Sequence, residues 1–489
     1  MLLGTILLST ANISKLALQF LLIPVLARLL GPKVFGLMSV AMSFVLLANM
    51  LADGGMGAAL VREENPDIEL RSTVFWLAVL IGASLAAIIC ITAWPIAMIF
   101  SQPSLVPILC ALSPILILSA SLSVSNAQII RTQRFDIFAA GDFGCAVISA
   151  AAGIIMALRG FGIWSLVAQQ LLLWITKAAW VLSVTKFRPS LVLKLSRARP
   201  LLRFSANNLA ANVADFTGKS APTVIVGGVL GMVAGGHYSM GYQLTRIADM
   251  VVSSPINVAT FSAVAVAANS RAAAAFVITA LRVLMTALAP LFAGLMLTAD
   301  LAAPLFLGPK WIATAPVLAA LAPGSLLVCL YSFAGAALLG KGRSGDVFRL
   351  TLMTSAAIAV ATFIGSHYGI NSAAAGFSVG AALMTPVYIW YLSRTMQVSV
   401  SSLLAAAMPS LVAVLMMAVA VLLVRSQIER LDPLLQLVVA VTVGVVVFGA
   451  TVFVIDGRQI REDIARLRRT EPERVRPSAP APISQASEI

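Results

Sequence analysis

Six ionisable side chains interrupt stretches that are otherwise apolar: Lys15, Asp53, Asp215, Lys219, Arg246 and Asp249. A charge in hydrocarbon is costly, so groups of this kind face a water-filled cavity or a partner. Lys15, Lys219 and Arg246 can give a cavity a positive potential and hold an anionic cargo through charge-assisted hydrogen bonds. Asp53, Asp215 and Asp249 then act as their charge partners or as sites for a coupling ion. A plainer reading stands beside this one. Asp215 with Lys219 is an i,i+4 pair and Arg246 with Asp249 an i,i+3 pair, so each can neutralise itself and merely tie helices together. Asp142, Lys177 and Arg282 lie within snorkelling reach of the cytoplasmic interface.

The remaining reactive residue types suggest little. Cys90, Cys110, Cys145 and Cys329 fall inside apolar runs without paired spacing, which is the pattern of small buried hydrophobes. His237 and His367 are expected in short outer loops, with no carboxylate or cysteine at ligand spacing, so neither a metal nor a cofactor is expected. No catalytic set emerges.

The elements that position the six charges follow from composition. A chain that is 60% hydrophobic and 11% charged, with a mean hydropathy of +0.98, is excluded from the soluble globular class. It reads as an all-α, polytopic membrane protein. Crossing the hydrocarbon takes roughly 20 apolar residues, and about fourteen such runs are present. They cover residues 6–30, 36–58, 73–100, 105–130, 137–158 and 162–185, then 204–230, 236–266, 275–299, 313–339, 346–366 and 370–393, and finally 402–424 and 433–455. At about 1.5 Å per residue, Lys219 and Arg246 lie roughly 17 and 15 Å from the outer ends of their helices, near the midplane. Asp215 and Asp249 are about one turn deeper, and Lys15 and Asp53 about 24 to 26 Å from theirs. All six therefore belong to helices 1, 2, 7 and 8.

Those four helices are related by an internal repeat. Asn12, Leu30, Gly31, Gly36 and Ser39 recur as Asn212, Leu230, Gly231, Gly236 and Ser239. Pro95, Pro107, Pro114 and Arg134 return as Pro304, Pro316, Pro323 and Arg343, and Gly162, Ile163 and Ser165 as Gly369, Ile370 and Ser372. Ordered matches at nearly constant offset mark two structural repeats. Each contains six helices, an even number, so the halves share one topology and form two parallel lobes around a central cavity, with two extra C-terminal helices. The expected divisions are 1–203, 204–398, 399–456 and a basic tail, 457–489.

Basic residues orient the bundle. With the N-terminus inside, cytoplasmic loops and the tail hold most of them, among them Arg62, Arg71, Arg131, Arg134, Lys186, Arg188, Lys194, Arg197, Arg199 and Arg203. The outer loops hold Arg28, Lys33, Arg159, Lys310, Arg425 and Arg430. Both termini are thus expected in the cytoplasm. The net charge of +14 sits in membrane-flanking loops and the tail, where orientation and anionic lipid account for it without nucleic acid. Ile460, Ile464 and Leu467 share a helical face, so a short interfacial helix is expected before a disordered end. The start lacks a basic leader region and a small-residue cleavage site, so the first helix is expected to remain.

Several runs then carry a resemblance: ARLLGPKVFGLMSVAMSF at 27–44 and LADGGMGAALVRE at 51–63, with RTQRF at 131–135, GFGIWSLVAQQ at 160–170, KFRPSL at 186–191 and LFLGPKW at 305–311. Together they resemble the Wzx-like polysaccharide repeat-unit flippases of the multidrug, oligosaccharidyl-lipid and polysaccharide exporter superfamily. The resemblance implies a V-shaped bundle of twelve core helices plus two peripheral ones. It implies a non-enzymatic carrier in a bacterial inner membrane that moves an undecaprenyl-diphosphate-linked oligosaccharide to the outer leaflet for exopolysaccharide, capsule or O-antigen assembly. Coupling to H+ or Na+ and work beside a polysaccharide polymerase and export machinery are implied with it. A diphosphate would need cations such as Lys219 and Arg246, a glycan a wet cavity, and the polyprenyl chain a lateral opening to membrane lipid. A drug exporter of the same superfamily would favour acids over midplane cations. A major-facilitator carrier would need a basic signature between helices 2 and 3, where GGMGAALVREENPD supplies one Arg and several acids. A glycan polymerase or ligase would carry a large outer loop, and the outer loops here are short.

Overall fold

The computed structural model describes residues 20–53, 67–132, 135–192 and 216–469, with residues 18, 57, 60, 61 and 213; side chains are described to Gly457, except those of Asp53 and residues 135–140. Fourteen helices fill these segments. The first lobe comprises α1 (Phe20–Leu30), α2 (Pro32–Ala52, ending at Asp53), α3 (Ile68–Ile99), α4 (Leu105–Arg131), α5 (Phe135–Leu158) and α6 (Ile163–Thr185). The second comprises α7 (216–230), α8 (Met232–Val266), α9 (Ser270–Leu307), α10 (Thr314–Gly340), α11 (Ser344–Ser366) and α12 (Ile370–Met396). Then come α13 (Val400–Gln427) and α14 (Pro433–Arg469). Twelve of the described helices are long and apolar enough to cross a membrane. The all-α, two-lobed architecture is the one the repeat implies.

The α1–α2 and α7–α8 turns are tighter than the hydropathy suggests. Each is a single glycine, Gly31 at φ 77° and Gly231 at φ 86°, a backbone conformation that only glycine adopts cheaply. Helices α2 and α8 therefore start at residues 32 and 232 rather than at 36 and 236. Ser39 and Ser239 then repeat the same local bond, each hydroxyl donating over 3.0 Å to the carbonyl of Gly36 or Gly236. Because α8 starts early, His237 lies within its first turns and is buried, not in a loop.

Helix α8 is interrupted by a wide π-turn, Asp249–Ser253, before α-helix resumes at Ser254. Pro255 explains it: proline lacks an N–H and its ring crowds the carbonyl four residues back, so one register of bonding is skipped. Helix α14 continues unbroken through the start of the tail to Arg469, so the amphipathic segment there is an extension of the last span and not a separate element.

Each lobe has its own apolar core. Leu105, Leu109, Ile115 and Leu116 of α4 anchor the first, and Leu284, Phe292, Leu321 and Phe377 the second. Large apolar side chains such as Ile91, Trp94, Leu415 and Val454 point outward, as a lipid-facing surface requires. Helices α13 and α14 pack on α9, where Met417, Val421 and Phe448 meet Ala293 and Leu297. Two ion pairs fix them at opposite ends: Arg425 with Asp300, and the buried Arg282 of α9 with Asp456 of α14 at 3.3 Å. Lys177 of α6 likewise meets Asp142 of α5 at 2.7 Å. Arg282, Lys177 and Asp142 are therefore partnered within the protein rather than extended to the interface.

Candidate functional site

The two lobes meet at the end that carries Gly31 and Gly231, the outer end in the orientation expected from loop charge. There α2 crosses α8 backbone to backbone. A Cβ on Gly36 would stand 1.8 Å from the carbonyl oxygen of Met232, and a Cβ on Gly236 1.9 Å from that of Pro32. Residue 32 is the repeat partner of 232, so the crossing sits on the axis that relates the halves. Small residues at a helix crossing allow this approach.

A second layer closes over the crossing. The corner between α9 and α10, Pro309–Trp311, reaches from the second lobe onto α1. Trp311, fully buried, donates its indole N–H to the Ala27 carbonyl over 2.9 Å. Phe35 and His237 meet its ring edge-on, and His237 Nδ1 lies 2.7 Å from the Thr314 hydroxyl. Arg28 donates to the carbonyls of Leu305 and Phe306. The tetrapeptide Leu-Gly-Pro-Lys occurs on both sides of this contact, at 30–33 and 307–310: Gly31 faces the Lys310 stem and Gly308 the Arg28 stem. On the opposite side of the axis, Phe100 packs against Gly228 instead.

A cavity of about 280 Å³ lies in the second lobe between α7, α8, α10, α11 and α12. Lys219 is exposed at its rim. Tyr331 and Tyr388 are stacked with centroids 4.1 Å apart, and Tyr242 meets Phe377 edge-on at 5.6 Å. The Tyr331 hydroxyl is 2.6 Å from the Ala381 carbonyl oxygen, to which it donates, and 2.7 Å from the Thr385 hydroxyl. Ser332, Thr351 and Ser355 complete the polar wall. A second crevice, almost wholly apolar, runs between α1, α8 and α9 past Phe20, Ile23, Val251, Leu291 and Phe306.

The six charges singled out from sequence separate accordingly. Lys15 and Asp215 lie outside the described residues, as does the side chain of Asp53, the last residue of α2. Lys219 lines the cavity. Arg246 is exposed one turn along α8 from Tyr242, on the same face. Asp249 opens the π-turn and sits beside Cys329 of α10. Among the described residues no ion pair joins Arg246 to Asp249. No group of three metal-ligating side chains occurs among the described residues. These tyrosines went unread in the sequence, although a signal existed: all six tyrosines of the chain lie after residue 203, in the second lobe, and three of them line this one cavity.

Residues 25–316 match the family described as polysaccharide biosynthesis protein. The chain belongs to that family. It is 27% identical over 463 residues to the succinoglycan biosynthesis transport protein ExoT of Rhizobium meliloti, covering 92% of this chain and 93% of the relative. It is 24% identical over 383 residues to the lipopolysaccharide biosynthesis protein WzxC of Escherichia coli, 76% of each. The fold is similar to that of the lipid II flippase MurJ in an inward closed conformation, with a TM-score of 0.75 at 14% identity over 93% of this chain and 100% of that one. The protein is thus a multi-pass membrane transporter of the polysaccharide biosynthesis family. Of the runs that carry the family resemblance, 27–44 and 305–311 fall largely on the lobe closure and not in the cavity.

Proposed function

We propose that this transporter is a flippase that carries undecaprenyl-diphosphate-linked oligosaccharide repeat units from the cytoplasmic to the periplasmic leaflet of a bacterial inner membrane, by alternating access. The observation that supports the reading is the pairing of a closed lobe end, the outer one on the orientation expected from loop charge, with two exposed cations of the second lobe, Lys219 and Arg246, which helix rise puts near the midplane. A diphosphate entering from the cytoplasmic side would meet those cations in a low-dielectric layer, where charge-assisted bonds are strong. The apolar crevice beside α1 and α8 offers the polyprenyl chain a path along the membrane. Asp53, Asp215 and Asp249 then serve as charge partners or as sites through which H+ or Na+ drives the return step. On this reading the chain makes no bonds and hands its cargo to a polymerase and export machinery.

Cells lacking the chain test the proposal. A diphosphate-linked repeat unit should accumulate on the cytoplasmic face, scored by accessibility in sealed vesicles. Repeat units that reach the outer face but stay unpolymerised would assign the chain to polymerisation or ligation, and an unchanged glycolipid pool would point to drug export. Orientation has its own check: a reporter fused after Asp456 should behave as cytoplasmic, and a periplasmic signal would invert the sealed end.

A further inference from the structure

The closed end of the lobes holds a buried group whose charge changes near neutral pH. His237, in the second turn of α8, is 7% exposed, and its Nδ1 lies 2.7 Å from the hydroxyl of Thr314, the first residue of α10. Trp311 meets the ring edge-on at 5.6 Å and is itself bonded to Ala27 of the first lobe. The imidazole therefore stands inside the joint, against the side chain that latches one lobe to the other.

The charges around this joint are of one sign. Arg28 on α1, Lys33 on α2 and Lys310 at the α9–α10 corner are what those elements bring to the closed end. Helix α10 carries no charged residue, α8 none before Arg246, the described part of α7 only Lys219, and α3 only Glu69 and Arg71 at its far end. The carboxylate that α9 carries near this end, Asp300, is exposed and paired with Arg425. A neutral ring fits such a place, since one nitrogen meets Thr314 and apolar rings cover the rest. An imidazolium does not fit, because it would add a buried, unpaired charge to a cationic surround. The attraction of the Trp311 ring for a cation replaces only part of the lost hydration.

We propose that His237 is a proton site that couples the acidity of the compartment it faces to opening of the lobe closure. The closed end takes the neutral ring and the open, hydrated end the charged one. Closure is therefore complete at alkaline pH and is lost as pH falls through the imidazole range, the open-to-closed ratio rising by up to about tenfold per pH unit. The proposal rests on the flippase reading and deepens it: in the orientation expected from loop charge, His237 meets the periplasm, and a proton bound there favours the state that releases cargo outward.

The test reads the separation of the lobes in the full chain in lipid nanodiscs. Spin labels at Phe161→Cys and Tyr368→Cys, exposed on outer turns of the two lobes and related by the repeat, are measured by double electron-electron resonance in a background without Cys90, Cys110, Cys145 and Cys329. Between about pH 8 and about pH 5 a longer distance should grow at the expense of a shorter one. The chain has 2 histidines. The other, His367, is exposed against Phe363, and His367→Gln should leave the response intact. His237→Gln, which can still bond Thr314 but cannot charge, should stay closed throughout. Thr314→Asp leaves His237 in place and supplies a carboxylate to pair with the imidazolium, so it should cancel the response. A native protein indifferent to pH overturns the proposal, as does a response that survives either His237→Gln or Thr314→Asp or that disappears with His367→Gln. No pH response together with repeat-unit accumulation in cells lacking the chain would leave the flippase reading intact; a pH response without accumulation would overturn that reading and keep the proton site.

Discussion

The glycine crossing of α2 and α8 offers a direct test of alternating access. If the lobes rock, this crossing exists in the outer-closed state and separates in the other. Gly236→Ala places a methyl 1.9 Å from the Pro32 carbonyl oxygen, where ordinary contact begins at 3.4 Å. The helices must therefore part by about 1.5 Å, an overpacking strain worth about 1–3 kcal/mol. The strain falls on the closed state alone, so the ratio of outer-open to outer-closed molecules should rise by about 5- to 150-fold. Ala27 reports it: its side chain is fully buried in the closure. In a background without Cys90, Cys110, Cys145 and Cys329, Ala27→Cys should react slowly with a membrane-impermeant maleimide added outside, and faster by that factor with Gly236→Ala. Gly36→Ala should match it, because its methyl meets the Met232 carbonyl oxygen at 1.8 Å. Gly294→Ala, with nothing within 4 Å of the new Cβ, should change nothing. Equal labelling in all four proteins, each folded and in the membrane, would refute the reasoning.

Other perturbations probe other contacts. Trp311→Phe keeps the ring against Phe35 and His237 but loses the bond to Ala27, about 1 kcal/mol, and should raise the same labelling roughly fivefold; no rise would remove the indole from the latch. Arg282→Leu or Asp456→Leu should each lower thermal stability in detergent by about 3–5 kcal/mol, by leaving one charge buried alone, while the double leucine variant should recover most of the loss. A loss in the double variant equal to the sum of the two single losses would mean that the pair is not coupled. Lys219→Ala and Arg246→Ala should each reduce polymer export with the protein still in the membrane, and undiminished export in both would favour a structural role for these cations.

The legibility of this chain in its sequence followed the range of the interactions concerned. The spans were readable because crossing hydrocarbon demands an apolar run of known length. The repeat marked Gly36 and Gly236, whose meeting needs no side chain at all. Turn geometry was less visible: only the backbone shows that Gly31 and Gly231 reverse the chain in one residue and so carry His237 into a helix. The π-turn was half legible, since a proline such as Pro255 within an apolar span can bend a helix, but only the structure shows that the helix absorbs it by widening at Asp249. Long-range partners were not readable. Nothing local in Arg282 points to Asp456, and Thr351 lines the same wall as Tyr388 only because α11 and α12 run side by side.

Where the repeat holds and where it fails divides the molecule by task. Gly31, Gly36 and Ser39 match their partners in type, Gly31 also in φ and Ser39 in its hydrogen bond, and they lie on the axis that relates the two halves. Away from the axis the halves diverge. Trp311 and its indole bond close one side, while Phe100 against Gly228 closes the other by packing alone. Directional bonds resist separation until broken, whereas an apolar contact slides, so the two sides need not release together. The cavity is the most asymmetric feature, lined by tyrosines that the first lobe, residues 1–203, lacks altogether. A movement shared by two lobes needs symmetry, but a cavity that distinguishes one cargo from another does not. Cargo selectivity should therefore change with substitutions on α10, α11 and α12, and the rate of closure with substitutions at the paired glycines.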